Sequence, residues 1–424
     1  MTYSEEGIRW LFLYAESADS KKKPGVNPRN APSAGPLKHL PKRNRGKSNK
    51  GSTAMRRVLF FSVSIGAGHD LAAQAVAQEV ERRFPEARMR IVDTFRYINP
   101  VLNKVIAGSY MESLRFNPRI WGYLYDQAEQ GDKFIDLNQI LSKLVSIKTE
   151  KLIKEFDPEV IVCTHAFPAG ILSILKNRGK FTIPLIAVIT DYTIHPFWIH
   201  ENVDKYILPC EDLRYQVAEY GVPDEKIMTT GIPIRRQFAG NWDRAAVRKN
   251  TGLDDITTIL VMGGGLGLGE IEDIIRTLGN CEINLQILSV TGKNDRLRKV
   301  LEMVNAKNRI KVFGFVENMA ELMAASDFIV TKPGGLTTAE ALSQGLPMVI
   351  VSPLPGQEAR NTEFLLNSGV AVKVRKLHHL VPQLKNLIAN TTRLNQIKEM
   401  ASAIGKPGAA ADLVNYMEKV VESN

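Results

Sequence analysis

Between residues 327 and 361 the chain alternates in a way that few folds accommodate. An apolar run ends at Asp327-Phe328-Ile329-Val330 and breaks at Lys332-Pro333-Gly334-Gly335. A helix-forming segment, Leu336 to Gln344, follows and is stopped by Gly345. Pro347 to Val351 is a second apolar, β-branched run, and the polar loop Pro353 to Asn361 opens a further helix. Strand, glycine turn, helix, strand is the βαβ unit of a parallel sheet, so the stretch predicts an α/β fold. The loop-to-helix junction brings free N–H groups and a positive dipole end together, which suits an anion such as phosphate. Glu340 comes three residues after Thr337, and two readings stay open. One is a capping box, with Thr337 capping and Glu340 reaching back. In the other, the Thr337 and Thr338 hydroxyls meet phosphate oxygens beside a carboxylate suited to a vicinal diol such as ribose.

The same grammar starts earlier. Val58–Ser62 reads as a strand, Ser64-Ile65-Gly66-Ala67-Gly68-His69 as a glycine turn, Asp70–Arg83 as a helix, and Arg88–Val92 as a strand ending at Asp93. A Gly-x-Gly turn with a later acid would suit a dinucleotide. Leu71, however, stands where the third glycine would be, and His69 points out of the turn. Strands follow at Val160–Cys163, Leu185–Ile189 and Tyr206–Leu208, each trailed by polar residues: Thr164-His165, Thr190-Asp191-Tyr192-Thr193-Ile194-His195 and Pro209-Cys210-Glu211. Ligands bind at the C-terminal ends of parallel strands, so these tails and His69 predict one wall of a cleft. Taken singly, each histidine reads as a loop residue bonded to backbone. Gly231–Trp242 is a candidate linker. A second set begins at Thr258–Met262, runs into a glycine-rich loop at 263–269 and the helix Ile271–Leu278, and continues with strands at Leu285–Val290, Ile310–Val312, Phe328–Val330 and Met348–Val351. The expectation is two Rossmann-like domains facing across a cleft, 56–235 and 236–407, with a terminal helix over 408–424.

A length of 424 residues also suggests two domains. No apolar run approaches the roughly 18–20 residues that span a bilayer. Cys163, Cys210 and Cys281 are odd in number and far apart, which gives neither a disulfide framework nor zinc spacing; a reducing cytoplasm is the default. Residues 1–55 hold eleven Lys and Arg against four Asp and Glu, a net +7 of the chain's +10, leaving +3 for the rest. The basicity belongs to the tail and does not predict a nucleic-acid surface. Residues 15–54, rich in Lys, Pro, Gly, Ser and Asn, read as disordered. Such a tail would touch anionic lipid, at about 1 kcal/mol per cation near the surface. The preferred reading is an upstream extension, with Met55 as the natural start. Residues 97–155 predict helices whose face of Ile98, Val101, Leu102, Val105, Ile106, Tyr110 and Leu114, near Arg115, Trp121, Tyr123 and Tyr125, is either core or membrane-lying.

Six motifs in register now point to a family. Ser-Ile-Gly-Ala-Gly-His (64–69), Thr-Asp-Tyr-Thr-Ile-His-Pro-Phe-Trp-Ile-His (190–200), Gly-Ile-Pro-Ile (231–234), Met-Gly-Gly-Gly (262–265), Lys-Pro-Gly-Gly-Leu-Thr-Thr-Ala-Glu (332–340) and Pro-Gly-Gln-Glu-x-x-Asn (355–361) resemble the diacylglycerol glycosyltransferases. That family includes bacterial processive glucosyltransferases and plant monogalactosyldiacylglycerol synthases. The resemblance covers roughly residues 56–420 and implies the GT-B architecture. It further implies a peripheral protein on the cytoplasmic face of the cell membrane, making metal-independent, inverting transfer from a UDP-sugar to diacylglycerol. No Asp-x-Asp occurs to hold a metal on the diphosphate, and no cofactor is expected. His69 would take the acceptor proton. The resemblance implies that Glu340 binds the ribose and that Phe315 and Met319 frame the uracil. Gly264, Gly265, Gly335, Thr337 and Thr338 would hold the diphosphate, and Gln357, Glu358 and Asn361 would read the sugar. Gly68, His165, Asp191, His195 and Trp198 would lie on the acceptor side. The glycine turn resembles the bacterial branch, which favours glucose; Arg360 and Leu266 depart from the usual pattern and keep galactose open. Three rivals remain: a nucleotide-sugar epimerase, a reductase (disfavoured by Leu71), and a non-catalytic UDP-sugar sensor, for which His69 would be dispensable.

Overall fold

The two sets of apolar runs assemble into two separate parallel sheets. The computed structural model describes residues 55–64, 66–98, 147–265, 267 and 269–423. Its first sheet contains β1 (Arg57–Ser62), β2 (Arg88–Asp93), β3 (Val160–Cys163), β4 (Leu185–Val188), β5 (Lys205–Leu208) and β6 (Ile227–Thr229), in the order β2-β1-β3-β4-β5-β6. The second contains β7 (Thr257–Met262), β8 (Leu285–Val290), β9 (Arg309–Phe313), β10 (Phe328–Thr331), β11 (Met348–Ile350) and β12 (Ala371–Lys373), in the order β12-β11-β10-β7-β8-β9. Neighbours pair in parallel throughout, as in Phe60↔Val162 and Val330↔Val261. β3, β4 and β10 are buried along their whole length, which explains their unbroken apolar sequences: both faces of a parallel sheet are covered by helices. The strands anticipated from sequence are present, most with ends moved by a residue. β6 and β12 were not anticipated; at three residues each they are too short to show a period.

Strand order places the site. In the first sheet the chain leaves β1 for β2 on one side and resumes at β3 on the other, so the order reverses between β1 and β3. In the second sheet the reversal lies between β7 and β10. Such switch points open crevices beyond the strand C-termini. The turn after β1 leads into α1 (Gly68–Arg83), and β3 into α2 (Ala166–Asn177). β7 leads through the glycine loop to α3 (Ile271–Gly279), β9 to α4 (Met319–Ala325), and β10 to α5 (Gly335–Ser343). β11 is followed by α6 (Gln357–Asn367), and beyond β12 lie α7 (Leu380–Ala389), α8 (Thr391–Ile404) and α9 (Ala409–Ser423).

α9 belongs to the first sheet's core, not the second's. Leu413, Val414 and Met417 are fully buried against Val58, Phe60, Val76, Val162 and Ile207. Arg83 on α1 holds it further, donating to Asn415 and to the Ala411 carbonyl. Among the described residues, no helix is long and apolar enough to cross a membrane. The tail expected to be disordered and most of the expected amphipathic face, from Val101 to Tyr125, lie outside the described residues. Ile98, the first residue of that face, is buried in the core.

Candidate active site

The first wall of the cleft starts from the β1 turn. α1 begins at Gly68 without a side-chain cap, which puts His69 in its first turn. His69 Nδ1 lies 2.7 Å from the Thr164 carbonyl, beyond β3, and 2.9 Å from Thr190 Oγ1, beyond β4. A carbonyl only accepts, so Nδ1 carries the proton and Nε2 the lone pair. Burial lowers the pKa of His69, opposed by the Thr164 carbonyl and the charge of Asp70; the ring is therefore a neutral base. Asp70 is tied down by the hydroxyls of Ser62 (2.5 Å) and Ser64 (2.7 Å). His69, Gly68, Thr190 and Asp191 line a cavity of about 250 Å³ between the two sheets.

Three residues expected on that wall are elsewhere. His165 precedes α2 in extended backbone, and its Nδ1 accepts from Phe167 N at 3.1 Å, capping the helix. His195 caps the short turn Pro196–Trp198 the same way, accepting from Phe197 N at 3.2 Å. Trp198 is buried in the first domain's core. A ring nitrogen just before a helix meets an orphan N–H, so these histidines follow the bland reading. His165 still touches the site indirectly: its ring packs edge-on against His69 at 4.7 Å between centroids.

The second wall comes from the other switch point. Gly264 after β7 has φ +71, a left-handed conformation that glycine adopts without strain; Gly264 and Gly265 both line the cavity. α5 starts at Gly335, capped by Gly334 with no side-chain hydrogen bond. The capping box is therefore not formed, because Thr337 already lies inside the helix. Thr337 faces the cavity. Thr338 does not: it is fully buried, and its Oγ1 has no hydrogen-bond partner among the described residues. Glu340, one turn on from Thr337, lines the cavity at 5% exposure. Burial pushes its carboxyl up to about 8, against the pull of Arg235. Phe315, Met319 and Gln357 complete this wall. Glu358 is on it too, but its carboxylate is already engaged, with Lys332 Nζ at 2.9 Å and Leu354 N at 2.8 Å.

Asn361, expected to read the sugar, is not on the cavity wall. It is fully buried between the domains, accepting from Tyr192 N (2.8 Å) and donating to Asp191 Oδ1 and the Pro333 carbonyl (2.9 Å each). Burial raises the pKa of Asp191 to about 6, with the Asn361 and Gly335 hydrogen bonds pulling down and the charge of Glu358 pushing up. Tyr192 stacks on Phe364 of α6 at 4.5 Å. The two glycine turns meet so closely that a Cβ on Gly265 would lie 2.6 Å from Ala67 Cβ, and one on Gly335 would lie 1.9 Å from the Thr190 carbonyl oxygen. The domains are closed on one another. At about 250 Å³ the cavity is smaller than the roughly 300–1,000 Å³ that ligand pockets commonly reach.

The profile of the monogalactosyldiacylglycerol (MGDG) synthase family matches residues 69–234, and that of the glycosyltransferase family 28 C-terminal domain matches residues 258–413. A processive diacylglycerol beta-glucosyltransferase of Bacillus cytotoxicus is 30% identical over 368 residues, covering 85% of this chain and 93% of its own. The chain belongs to the diacylglycerol glycosyltransferase family. Its relative of the same name in Bacillus licheniformis is 28% identical over 351 residues, covering 81% of this chain and 90% of its own. Among solved structures, Acinetobacter baumannii MurG superposes with a TM-score of 0.56 at 17% identity, covering 86% of this chain and 99% of its own. The calicheamicin glycosyltransferase CalG4 gives 0.57 at 16% identity, covering 86% and 98%. UDP-GlcNAc 2-epimerase from Neisseria meningitidis gives 0.54 at 15%, covering 86% and 100%. At these identities the likeness is one of fold: two Rossmann-like halves across a cleft, the GT-B architecture.

Two cations of this family member were not singled out from the sequence. Arg235, directly after Gly-Ile-Pro-Ile, lines the cavity near Glu340; its Nε is buried without a hydrogen-bond partner, while Nη1 donates to the Glu317 carbonyl at 3.2 Å. Lys332 at the end of β10 lines it as well. Lys332 was visible inside its motif, but nothing local marked Arg235, which lies in the linker.

Proposed function

We propose that the protein transfers a hexosyl group, glucose in preference to galactose, from a UDP-sugar to the hydroxyl of diacylglycerol, with inversion to a β-glycoside. The acceptor O–H would give its proton to His69 Nε2 as its oxygen bonds to the anomeric carbon, opposite the diphosphate. The carbon–oxygen bond to UDP breaks, and its electron pair leaves with the diphosphate. A base so placed typically contributes about 10²–10⁴-fold. Charge developing on the diphosphate would be met by Arg235, by the N–H groups of the Gly264-Gly265 loop and by the start of α5. Glu340 would accept from the ribose hydroxyls, Phe315 and Met319 would bracket the uracil, and Gln357 is the sugar-facing side chain left uncommitted by the domain contact. The protein would work as a peripheral protein on the cytoplasmic side of the membrane, where diacylglycerol is presented.

The observation that carries this reading is the neutral His69 imidazole, fixed through Nδ1, on the same cavity as Glu340 and two glycine turns. The names of the relatives supply the acceptor and favour glucose. The test is a pair of reactions on diacylglycerol liposomes, with UDP-glucose and with UDP-galactose, using the parent chain and His69→Ala. A glycolipid from UDP-glucose, lost in the variant while UDP binding persists, supports the reading. No glycolipid from either donor refutes it, and an isomerised UDP-sugar formed without lipid would make the protein an epimerase.

A further inference from the structure

A second cavity, of about 530 Å³, lies on the outer flank of the second domain, away from the cleft. The edge strand β12, α7, α8 and the end of α6 line it. Lys373, Arg375 and Arg393 line it together with Gln383 and Gln396, and no carboxylate among the described residues does. None of the three cations has an ion-pair partner among the described residues. All three are exposed, and they converge on this one cavity.

The backbone adds a donor. Among the described residues β12 pairs only with β11, and Val374 N donates to the Ile350 carbonyl at 2.9 Å. Alternation along a strand then turns the N–H of Lys373, one residue back, toward the open edge. Charged residues on an edge strand commonly guard it against pairing with another chain, and Lys373 and Arg375 would serve for that. Edge protection does not account for Arg393, which comes from α8 and converges on the same space. Guanidinium forks match the oxygens of a phosphate, and three positive charges exceed what one carboxylate needs.

We propose that this pocket binds a phosphate monoester or diester, carried either by the headgroup of an anionic lipid or by a free phosphorylated metabolite. The site is independent of the cleft and of the reaction assigned to it.

The test uses the full chain, Arg375→Gln/Arg393→Gln, and a control, Lys299→Gln/Lys307→Gln, with the same charge loss elsewhere in the domain. All four side chains are exposed, and matched melting temperatures would show that folding is kept. Two probes are read: glycerol 3-phosphate by calorimetry, and flotation with phosphatidylcholine vesicles with and without phosphatidylglycerol. The arginine variant should lose at least about tenfold in affinity for one probe while the control keeps it. Loss confined to vesicles assigns the headgroup, and loss confined to glycerol 3-phosphate assigns the metabolite. Unchanged binding of both probes, no binding of either by the parent chain, or equal loss in both variants would overturn the proposal.

Discussion

Between about pH 5 and 8 the empty cleft holds a proton that a bound ribose would displace. The Glu340 carboxyl is pushed from an ordinary 4.5 up to about 8 by burial, so at neutral pH it is mostly protonated. Accepting two ribose hydroxyls favours the ionised form. If binding returns the group toward its ordinary range, each bound donor releases close to one proton at neutral pH. Affinity for UDP-glucose should then rise about tenfold per pH unit up to about pH 8, where it levels off. Folding responds with the opposite sign. The unfolded carboxyl titrates at its ordinary value and the folded one near 8, so the share of stability that Glu340 contributes to the unliganded protein is full below 4.5. It then falls by about 1.4 kcal/mol per pH unit as pH rises toward 8. Glu340→Gln should remove the Glu340 share of both slopes, which between about pH 6.5 and 8 is the dominant one: weaker donor binding that no longer rises over that window, and a higher melting temperature than the parent at pH 8. UDP-glucose is the right probe, because its diphosphate lacks the terminal phosphate ionisation of free UDP. Calorimetry in two buffers of different ionisation enthalpy counts the protons directly. Flat affinity in the parent chain, or a slope between about pH 6.5 and 8 that survives Glu340→Gln, would refute the argument.

Gly335→Ala should leave UDP-glucose binding to the second domain intact and lower kcat at least about tenfold. The added Cβ would lie 1.9 Å from the Thr190 carbonyl oxygen and block closure; unchanged kcat in steady-state kinetics would count against a closed reacting state. Arg235→Gln should weaken UDP binding roughly tenfold to a hundredfold, the cost of a charge-assisted contact of about 1.5–3 kcal/mol, and leave uridine binding untouched. Equal losses for both ligands by calorimetry would place the guanidinium away from the diphosphate. Met417→Ala removes a fully buried side chain from the first domain's core and should cost about 2–5 kcal/mol in urea unfolding. A cost under 1 kcal/mol would mean that α9 is only loosely docked.

The parallel sheets were legible because burial on both faces forces unbroken apolar strands, and the glycine turns because positive φ leaves a compositional mark. Gly264 is such a case; Gly335 is glycine for another reason, the close approach of the Thr190 carbonyl. Side-chain direction was harder to read. His165 and His195 sit at strand ends, as cleft residues do, yet each is spent on a helix N–H a few atoms away, and that competition is settled by local backbone geometry. Asn361 lies in a motif beside Gln357, but four residues along α6 its amide reaches Asp191 and Tyr192 of the other domain. Only the closed packing of the domains reveals this. Arg235 carries no local signal at all, since the linker meets the cavity through tertiary structure alone.

The docking of α9 on the first sheet has a consequence during synthesis. A ribosome delivers the chain from its N-terminus, and domains generally fold as they emerge. Here β1 to β6 are complete by residue 229, yet Val58, Phe60 and Val162 wait for Leu413, Val414 and Met417 to cover them. For almost two hundred residues of elongation the first domain would show the nascent-chain machinery an apolar face that only the far end of the polypeptide can close. A chaperone with affinity for such a face would be expected on stalled chains that end before residue 409, and to leave once residue 421 has cleared the ribosome.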